Sequence, residues 1–360
     1  MALPLTWLGG RATGPRTLFP LTSFRAEGPM RRLRILTWPI HGSYFNTLAT
    51  LGHDWLLPVR DDGADGYGGR GAADFPPSIQ DVPADRLHDI QFDLVLYQHP
   101  DNLRDAASLL SPDQQRLPRI YLEHNTPFPD PVASAHPFAD RHGLLVHVTH
   151  YNRLMWDNGP TPTRLVEHSV AIDPAISWRG DRAEGITVIN SMPRRGRKVG
   201  LDLFLEARRH VPLQLAGFGN EGLDGLGDIP YPRLHRTVAE YRFLFSPCRY
   251  TSLPLAVIEA LTIGMPVVAL ATTELPAVIV NGVHGYLSND PDELLAGMRR
   301  LLEGHAHAAE LGANARELAR RRFGLDRFAR DWDAAFADAI ALAGENGTDS
   351  RQNLTAPASR

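Results

Sequence analysis

The chain has 360 residues, of which 43% are hydrophobic and 22% charged, and its formal net charge is −4. This composition is ordinary for a globular protein with room for two domains, and the acidic balance excludes a general nucleic-acid-binding protein. No apolar run approaches the roughly 18 residues of a membrane span, and the single cysteine, Cys248, excludes internal disulfides, so we expect a cytoplasmic protein without nucleic-acid partners.

The first 30 residues are rich in glycine and proline and show no periodicity. They lack the charged start, the long apolar centre and the small-residue cleavage site of a signal peptide. Met30 stands just before a strand-like run, so we interpret 1–30 as a disordered extension or as sequence upstream of the true start codon. The polar segment 344–360 is predicted to be a disordered tail.

From residue 31 onwards, short apolar runs alternate with helical patterns. Strands are predicted in two series, at 33–38, 92–98, 119–124, 144–149 and 164–170, and then at 185–190, 213–218, 241–247 and 266–271. Helices are predicted at 44–51, 201–210, 255–264 and 291–304. Strands separated by helices imply parallel sheets with right-handed crossovers. We therefore predict an α/β fold of two Rossmann-like doubly wound domains, 31–175 and 183–322, that face a ligand-binding cleft.

The last helical pattern, 323–343, spaces Phe328, Trp332 and Phe336 four residues apart. This spacing places the three aromatic side chains on one face of a helix. We predict that this face packs in a hydrophobic core and that the helix lies across the two domains.

Two strand ends in the second predicted domain carry residues suited to a phosphate. Arg194, Arg195 and Lys198, the only lysine of the chain, follow the first strand of this domain. Positive side chains there can neutralise a bound anion through charge-assisted hydrogen bonds, although a solvated basic turn fits the sequence as well. Gly217 and Gly219 end the next strand, where glycine permits close approach of a ligand to the backbone. A lone Gly-x-Gly is also common in ordinary turns.

A single carboxylate, Glu259, stands within a long apolar run that has no basic residue nearby in sequence. A buried, unpaired carboxylate is costly, so Glu259 must reach water, a partner or a ligand. Pro254 and Gly264 fit the start and the end of a helix, whose first amides could receive an anion. Glu259, about one turn into that helix, could accept protons from two ribose hydroxyls. A surface glutamate that reaches water is the alternative.

The basic loop, the Gly-x-Gly turn and Glu259 are followed by Gly-Met-Pro-Val-Val-Ala at 264–269 and by Asn-Gly-Val-His-Gly at 281–285. In this order and spacing, 185–302 resembles the second domain of retaining glycosyltransferases of family 4, which have the GT-B fold. The resemblance implies a nucleotide-sugar donor, a UDP- or GDP-sugar, whose diphosphate meets the basic loop and whose ribose meets Glu259.

The resemblance also assigns donor contacts to a further set of residues: Gly42, Ser43, Arg194, Gly217, Gly219, Thr251, Ser252, Leu253 and Leu255. It places His124 near the transferred sugar, where a neutral imidazole could hydrogen-bond a hydroxyl or stabilise charge as the leaving group departs. A structural role is the alternative for His124, and a plain turn is the alternative for Gly42 and Ser43. No metal or other cofactor is implied, because the basic loop and the helix start hold the diphosphate.

Three departures from the family pattern concern the donor site. The first glutamate of the family's pair is replaced by Thr251, so the identity of the sugar and the activity do not follow from the resemblance. Ser252 and Pro254 stand where the family has glycines, and the proline removes a backbone donor. Thr273 and Glu274 stand where the family has Gly-Gly, and Glu274 could take over a role of the missing glutamate or be a surface charge.

We therefore predict an enzyme that transfers a sugar, with retention of configuration, to an unidentified carbohydrate, lipid or small-molecule acceptor. His124, Arg195 and Lys198 are the candidate catalytic residues, the two cations by stabilising the departing diphosphate. Two alternatives remain: a catalytically inactive nucleotide-sugar-binding GT-B protein, and an NAD(P)-dependent oxidoreductase, which would need a Gly-x-Gly-x-x-Gly turn that no segment provides cleanly. The sequence does not support a peripheral membrane contact, since it holds no persuasive basic amphipathic helix.

Overall fold

The computed structural model describes residues 30–352, apart from 41, 63, 65 and 72–74. The predicted N-terminal extension, except Met30, and positions 353–360 of the predicted tail lie outside the described residues. Within the described part of the chain, two parallel sheets are flanked by helices. The predicted fold class, α/β with two doubly wound domains, is confirmed.

The sheet of the first domain has the strand order β3-β2-β1-β4-β5-β6-β7, with every neighbouring pair parallel. Its strands are β1 (Arg34–Thr37), β2 (Asp54–Val59), β3 (Ile79–Pro83), β4 (Leu94–Tyr97), β5 (Arg119–Glu123), β6 (Leu144–His147) and β7 (Thr163–Leu165). Helices of this domain are α1 (Gly42–Leu48), α2 (Pro100–Leu109) and α3 (His150–Met155). All residues of β4 and β6 are buried, as expected for strands covered on both faces.

The sheet of the second domain has the strand order β12-β11-β10-β8-β9 and is also parallel. Its strands are β8 (Arg182–Val188), β9 (Leu213–Ala216), β10 (Tyr241–Ser246), β11 (Val267–Leu270) and β12 (Gly285–Ser288). The helices around it are α4 (Met192–Arg195), α5 (Leu201–His210), α6 (Tyr231–Val238), α7 (Leu255–Ile263), α8 (Leu275–Val278), α9 (Pro291–Glu303) and α10 (His305–Arg322). Gly264 ends α7 with a φ of 86°, a left-handed conformation that suits glycine.

The last helix, α11 (Leu325–Gln352), returns to the first domain and contacts β5 and β6. Phe328, Trp332 and Phe336 are fully buried in the core beside this sheet, which confirms that the aromatic stripe packs inside the protein. The helix continues to Gln352, past position 343 where the sequence predicts its end. Residues 344–352, predicted to be disordered, are therefore helical.

The two domains are hydrogen-bonded to each other beside the ends of their strands. The Tyr250 hydroxyl donates to the backbone oxygen of Pro127 at 3.1 Å. The Glu274 carboxylate accepts from the backbone amide of Tyr151 at 2.8 Å and lies 3.4 Å from the Arg322 guanidinium. These contacts hold the two domains against each other.

The chain passes between the domains twice, in segments that we call the crossing segments, 166–181 and 323–324. The Ser169 hydroxyl of the first segment donates to the backbone oxygen of Phe323 in the second at 2.7 Å. Arg322, just before the second segment, pairs with Glu167 in the first at 2.6 Å. The two crossing segments are therefore bound to each other side by side.

Candidate functional site

A cleft of about 480 Å³ lies between the two domains. The first domain contributes Tyr44, His124, Asn125 and His168 to its lining. The second domain contributes Val188–Asn190, Arg195, Gly217, Phe218, Asp228–Tyr231, Leu234, Cys248, Thr251–Ala256 and Glu259. Several of these residues directly follow strands of the two parallel sheets, which is where open α/β sheets bind ligands.

Glu259 lines this cleft from helix α7 and is only 8% exposed. The Tyr231 hydroxyl donates to its Oε1 at 3.2 Å, and Nε2 of His235 lies 3.4 Å from the same oxygen. The sequence shows no basic residue near Glu259, whereas the fold supplies His235 from helix α6. Glu259 therefore has protein partners, and its need for a ligand does not follow from burial alone.

The second carboxylate oxygen of Glu259 is arranged differently. Oε2 has no hydrogen-bond partner among the described residues. Since a carboxylate oxygen can accept two hydrogen bonds, Oε2 can accept from a molecule in the cleft. The structure thus leaves one oxygen of Glu259 for a ligand and satisfies the other internally.

Tyr231 and His235 are site residues that the sequence analysis missed. They lie four residues apart on α6, and their rings meet edge to face with centroids 4.9 Å apart. Burial, reinforced by the negative charge of Glu259, raises the pKa of Tyr231, so its hydroxyl stays protonated at neutral pH. Pro230 before Tyr231 and the spacing of four were the signals of a helix face in the sequence.

The three cations of the predicted basic loop occupy different places. Arg195 lines the cleft, whereas Arg194 and Lys198 are not among the lining residues. The Lys198 ammonium lies 5.8 Å from the ring centroid of Tyr250, the residue before the lining segment 251–256. Partial burial and then the charge of Arg195 lower the pKa of Lys198. Arg195 and Lys198 thus form one positive region, of which Arg195 is the part inside the cleft.

The two glycines that follow β9 also separate. Gly217 lines the cleft with a φ of 131°, and an added Cβ would lie 2.5 Å from the backbone oxygen of Ile189. Gly219 is outside the lining set, and an added Cβ there would lie 2.5 Å from Oγ of Ser191. Both glycines therefore permit close packing against the loop that follows β8, and only Gly217 also borders the cleft.

The segment that leads into helix α7 borders the cleft, with Thr251, Ser252, Leu253 and Leu255 all in its lining. Oγ of Ser252 lies 3.4 Å from the Thr149 hydroxyl of the first domain, so this segment also contacts the facing domain. Pro254 caps α7 without a side-chain hydrogen bond to its first amides. The helix start can therefore contribute positive dipole and amide donors to an anion.

Glu274 has neither of the two roles considered for it. It is 2% exposed, bound to Tyr151 and Arg322, and absent from the cleft lining. Its carboxylate joins the domains and neither replaces the missing glutamate nor lies on the surface.

His124 lines the cleft from the first domain. Its Nε2 lies 3.1 Å from Oε1 of Gln98, and its ring meets the Tyr44 ring at a centroid distance of 4.7 Å. Gln98 in turn donates from its amide to the Thr37 hydroxyl and to the backbone oxygen of Trp38, which fixes its Oε1 as an acceptor. Nε2 of His124 therefore carries the proton.

Gly42 and Ser43 form the first positions of helix α1. Their side chains lie outside the described residues. Tyr44, the next residue and one that the sequence analysis missed, is fully buried and lines the cleft. Burial raises the pKa of its hydroxyl.

The described residues contain no group of three or more His, Cys, Asp and Glu side chains placed to hold a metal ion. Within the same residues, no helix combines the length and the apolar character needed to cross a membrane.

Comparison with known proteins identifies the fold. Residues 218–318 match the family model described as glycosyl transferases group 1. Sucrose-phosphate synthase from Thermosynechococcus elongatus aligns over 91% of this chain and 100% of its own, at 17% identity and a TM-score of 0.61. HepE of Anabaena in complex with UDP aligns over 83% of this chain and 97% of its own, at 16% identity and a TM-score of 0.63. The chain has the GT-B fold.

A glycosyltransferase from Rickettsia africae is a further GT-B neighbour, aligned over 86% of this chain and 99% of its own at 12% identity and a TM-score of 0.64. No curated protein sequence matched the chain. The group 1 match includes helices α6 and α7, which carry Tyr231, His235 and Glu259. The matched part of the chain thus contains Glu259 and the two side chains that contact its carboxylate.

Proposed function

We propose that the protein transfers a sugar from a nucleotide-diphosphate sugar to an acceptor, with retention of configuration and without a metal ion. The observation that carries the proposal is the joint presence of Glu259 and Arg195 in one cleft between two GT-B domains. An acidic acceptor of hydroxyl protons and a guanidinium are the groups that a ribose and a diphosphate require. The match of 218–318 to a glycosyltransferase family supports the same assignment.

UDP-sugars are the first donors to test, because HepE, a neighbour in fold, has been solved with UDP and with UDP-glucose. Glu259 would accept from the ribose through Oε2, and Arg195 would contact the diphosphate. Lys198 would add positive potential from beside the cleft. His124 and the first domain would face the transferred sugar and a carbohydrate, lipid or small-molecule acceptor.

The chemistry asked of these residues is the stabilisation of charge. The bond between the anomeric carbon and the diphosphate oxygen breaks, and the acceptor oxygen bonds to the same face of that carbon. The acceptor proton passes to the departing diphosphate. Arg195 and the start of α7 lower the barrier because their positive charge and amide dipoles are already oriented before the diphosphate leaves.

Thr251 favours a second candidate, a nucleotide-sugar-binding protein without transferase activity. It lines the cleft where the resembling family has its first glutamate, which normally touches the donor sugar. A threonine hydroxyl cannot provide the charge of that carboxylate. Release of nucleotide diphosphate from a bound donor, in water or with acceptor extracts, separates the enzyme from the inactive binder.

The proposal is tested by calorimetric titration of UDP-, GDP-, ADP- and dTDP-sugars into the wild type, Glu259→Ala and a control, Glu310→Ala. Glu310 is an exposed glutamate on α10, distant in sequence from the cleft segments. We expect one nucleotide class to bind and Glu259→Ala to weaken it about 10- to 100-fold, the range for hydrogen bonds to a charged group. Absence of binding by all four donors, or equal binding by Glu259→Ala and the wild type, would contradict the proposal.

A further inference from the structure

Two side chains of helix α6 converge on one oxygen of Glu259. The Tyr231 hydroxyl is 3.2 Å from Oε1, and Nε2 of His235 is 3.4 Å from it. Among the described residues these are the only polar side chains in contact with the carboxylate. Both contacts fall on Oε1, so they restrict the rotation of the carboxylate as well as offsetting the cost of its burial.

The burial of His235 and the packing of Tyr231 also indicate that these side chains restrain the Glu259 carboxylate. His235 is only 6% exposed, and its Nε2 has no well-oriented hydrogen-bond partner among the described residues. A buried imidazole nitrogen without such a partner is uncommon, and the oxygen that this one contacts is Oε1 of Glu259, 3.4 Å away. Tyr231 lines the cleft, and its ring packs against His235, which restrains the position of the ring that carries the hydroxyl.

We infer that Tyr231 and His235 are positioning residues that hold Glu259 with Oε2 directed at the ribose of the donor nucleotide. The inference deepens the proposed function and depends on it. Neither residue needs to touch the nucleotide through these atoms. Their effect is to present an oriented acceptor, so that less conformational entropy is lost when a ribose hydroxyl donates to it.

A positioning role predicts an effect on discrimination between ribose and deoxyribose. A nucleoside diphosphate and its 2′-deoxy counterpart differ by one hydroxyl that can donate to Oε2. The wild type should therefore bind the ribonucleotide more tightly, by the value of one hydrogen bond to a charged group. Loss of the Tyr231 hydroxyl should reduce this ratio about threefold to tenfold, since the hydrogen bond then forms with a poorly oriented carboxylate.

The experiment is calorimetric titration of the full chain with three pairs of ligands: UDP and dUDP, GDP and dGDP, and ADP and dADP. The variants are Tyr231→Phe, His235→Leu and His235→Gln, whose amide can donate to Glu259. Tyr286→Phe is the matched control, because the Tyr286 ring also packs against a histidine, His307, and its hydroxyl has a hydrogen-bond partner there at 2.7 Å, but Tyr286 does not line this cleft. Melting temperatures verify that each variant is folded.

We expect a reduced ribose-to-deoxyribose ratio for Tyr231→Phe and His235→Leu, partial recovery for His235→Gln and a wild-type ratio for Tyr286→Phe. A purely structural role would weaken both members of a pair equally, and that result overturns the inference, as does a wild-type ratio in Tyr231→Phe. Failure of the wild type to bind any of the three ribonucleotides overturns the inference, and failure to bind any of the six nucleotides and any of the four donor sugars contradicts the proposed function itself. Binding by the wild type with an unchanged ratio in the variants contradicts the inference alone.

Discussion

Substitution of His147 by glutamine is expected to reduce the loss of stability that acid causes. His147 ends β6, is fully buried, and its Nε2 lies 2.7 Å from Oδ1 of Asn158. Burial lowers the pKa of His147 from 6.5 to about 3, so the folded protein keeps this side chain neutral at pH values where an exposed histidine is protonated. Nε2 therefore donates to Asn158, and a glutamine amide can make the same hydrogen bond.

The sign of the effect follows from the order of the two pKa values. The unfolded chain, with a pKa of 6.5, binds a proton more readily than the folded chain, with a pKa of about 3. The contribution of His147 is therefore complete above pH 6.5, and stability falls as the pH decreases towards 3. Proton linkage gives a loss of about 2 kcal/mol from this one residue between pH 8 and pH 5.

Urea unfolding at pH 8, 6.5 and 5 measures this loss for the wild type and for His147→Gln. Burial also lowers the pKa of His53 and of His284, so the wild type has further acid-sensitive groups and only the comparison isolates His147. The free energy of unfolding of His147→Gln should fall by about 2 kcal/mol less between pH 8 and pH 5. His88→Gln, at an exposed position, should match the wild type. Parallel curves for the wild type and His147→Gln would refute the reasoning.

Two further predictions concern the cleft and the domain contact. Arg195→Gln should weaken binding of a nucleoside diphosphate by about tenfold or more and Lys198→Gln by less, because only Arg195 lines the cleft; equal losses in calorimetry would contradict this placement. Glu274→Ala should lower the free energy of unfolding by about 1–3 kcal/mol in urea denaturation, because it removes the acceptor of the Tyr151 amide while Arg322 keeps its pair with Glu167. An unchanged midpoint would show that the domains stay together without this carboxylate.

The alternation of strands and helices in the sequence predicts two parallel sheets because most of the buried strands form short apolar runs. Helix α5, predicted at 201–210, is observed at the same residues. Strands β2, β3 and β12 were not predicted, and the first two have weaker patterns. Pro58 interrupts β2, and β3 is an exposed edge strand that contains an aspartate.

The candidate site was predictable where its residues follow one another along the chain. Gly217 could be found from the pattern of a glycine turn, and the segment from Thr251 to Glu259 from the pattern of a helix start, because both patterns are local in sequence. Tyr231, His235 and Tyr44 could not, because their contacts depend on how α6 and α1 are packed. For the same reason, the sequence could not predict that Lys198, three residues after Arg195, lies outside the lining of the cleft.

Because α11 returns to the first domain, the second domain is inserted within the sequence of the first and is connected to it by both crossing segments. A domain held by one linker can rotate in any direction. A domain held by two adjacent segments rotates mainly about the axis that passes through both. The hydrogen bond between Ser169 and Phe323 holds the two crossing segments together, so the rotation axis passes close to both residues. Opening and closing of the cleft should therefore be a rotation about one hinge at the crossing segments. The part of the second domain farthest from Ser169 should move most.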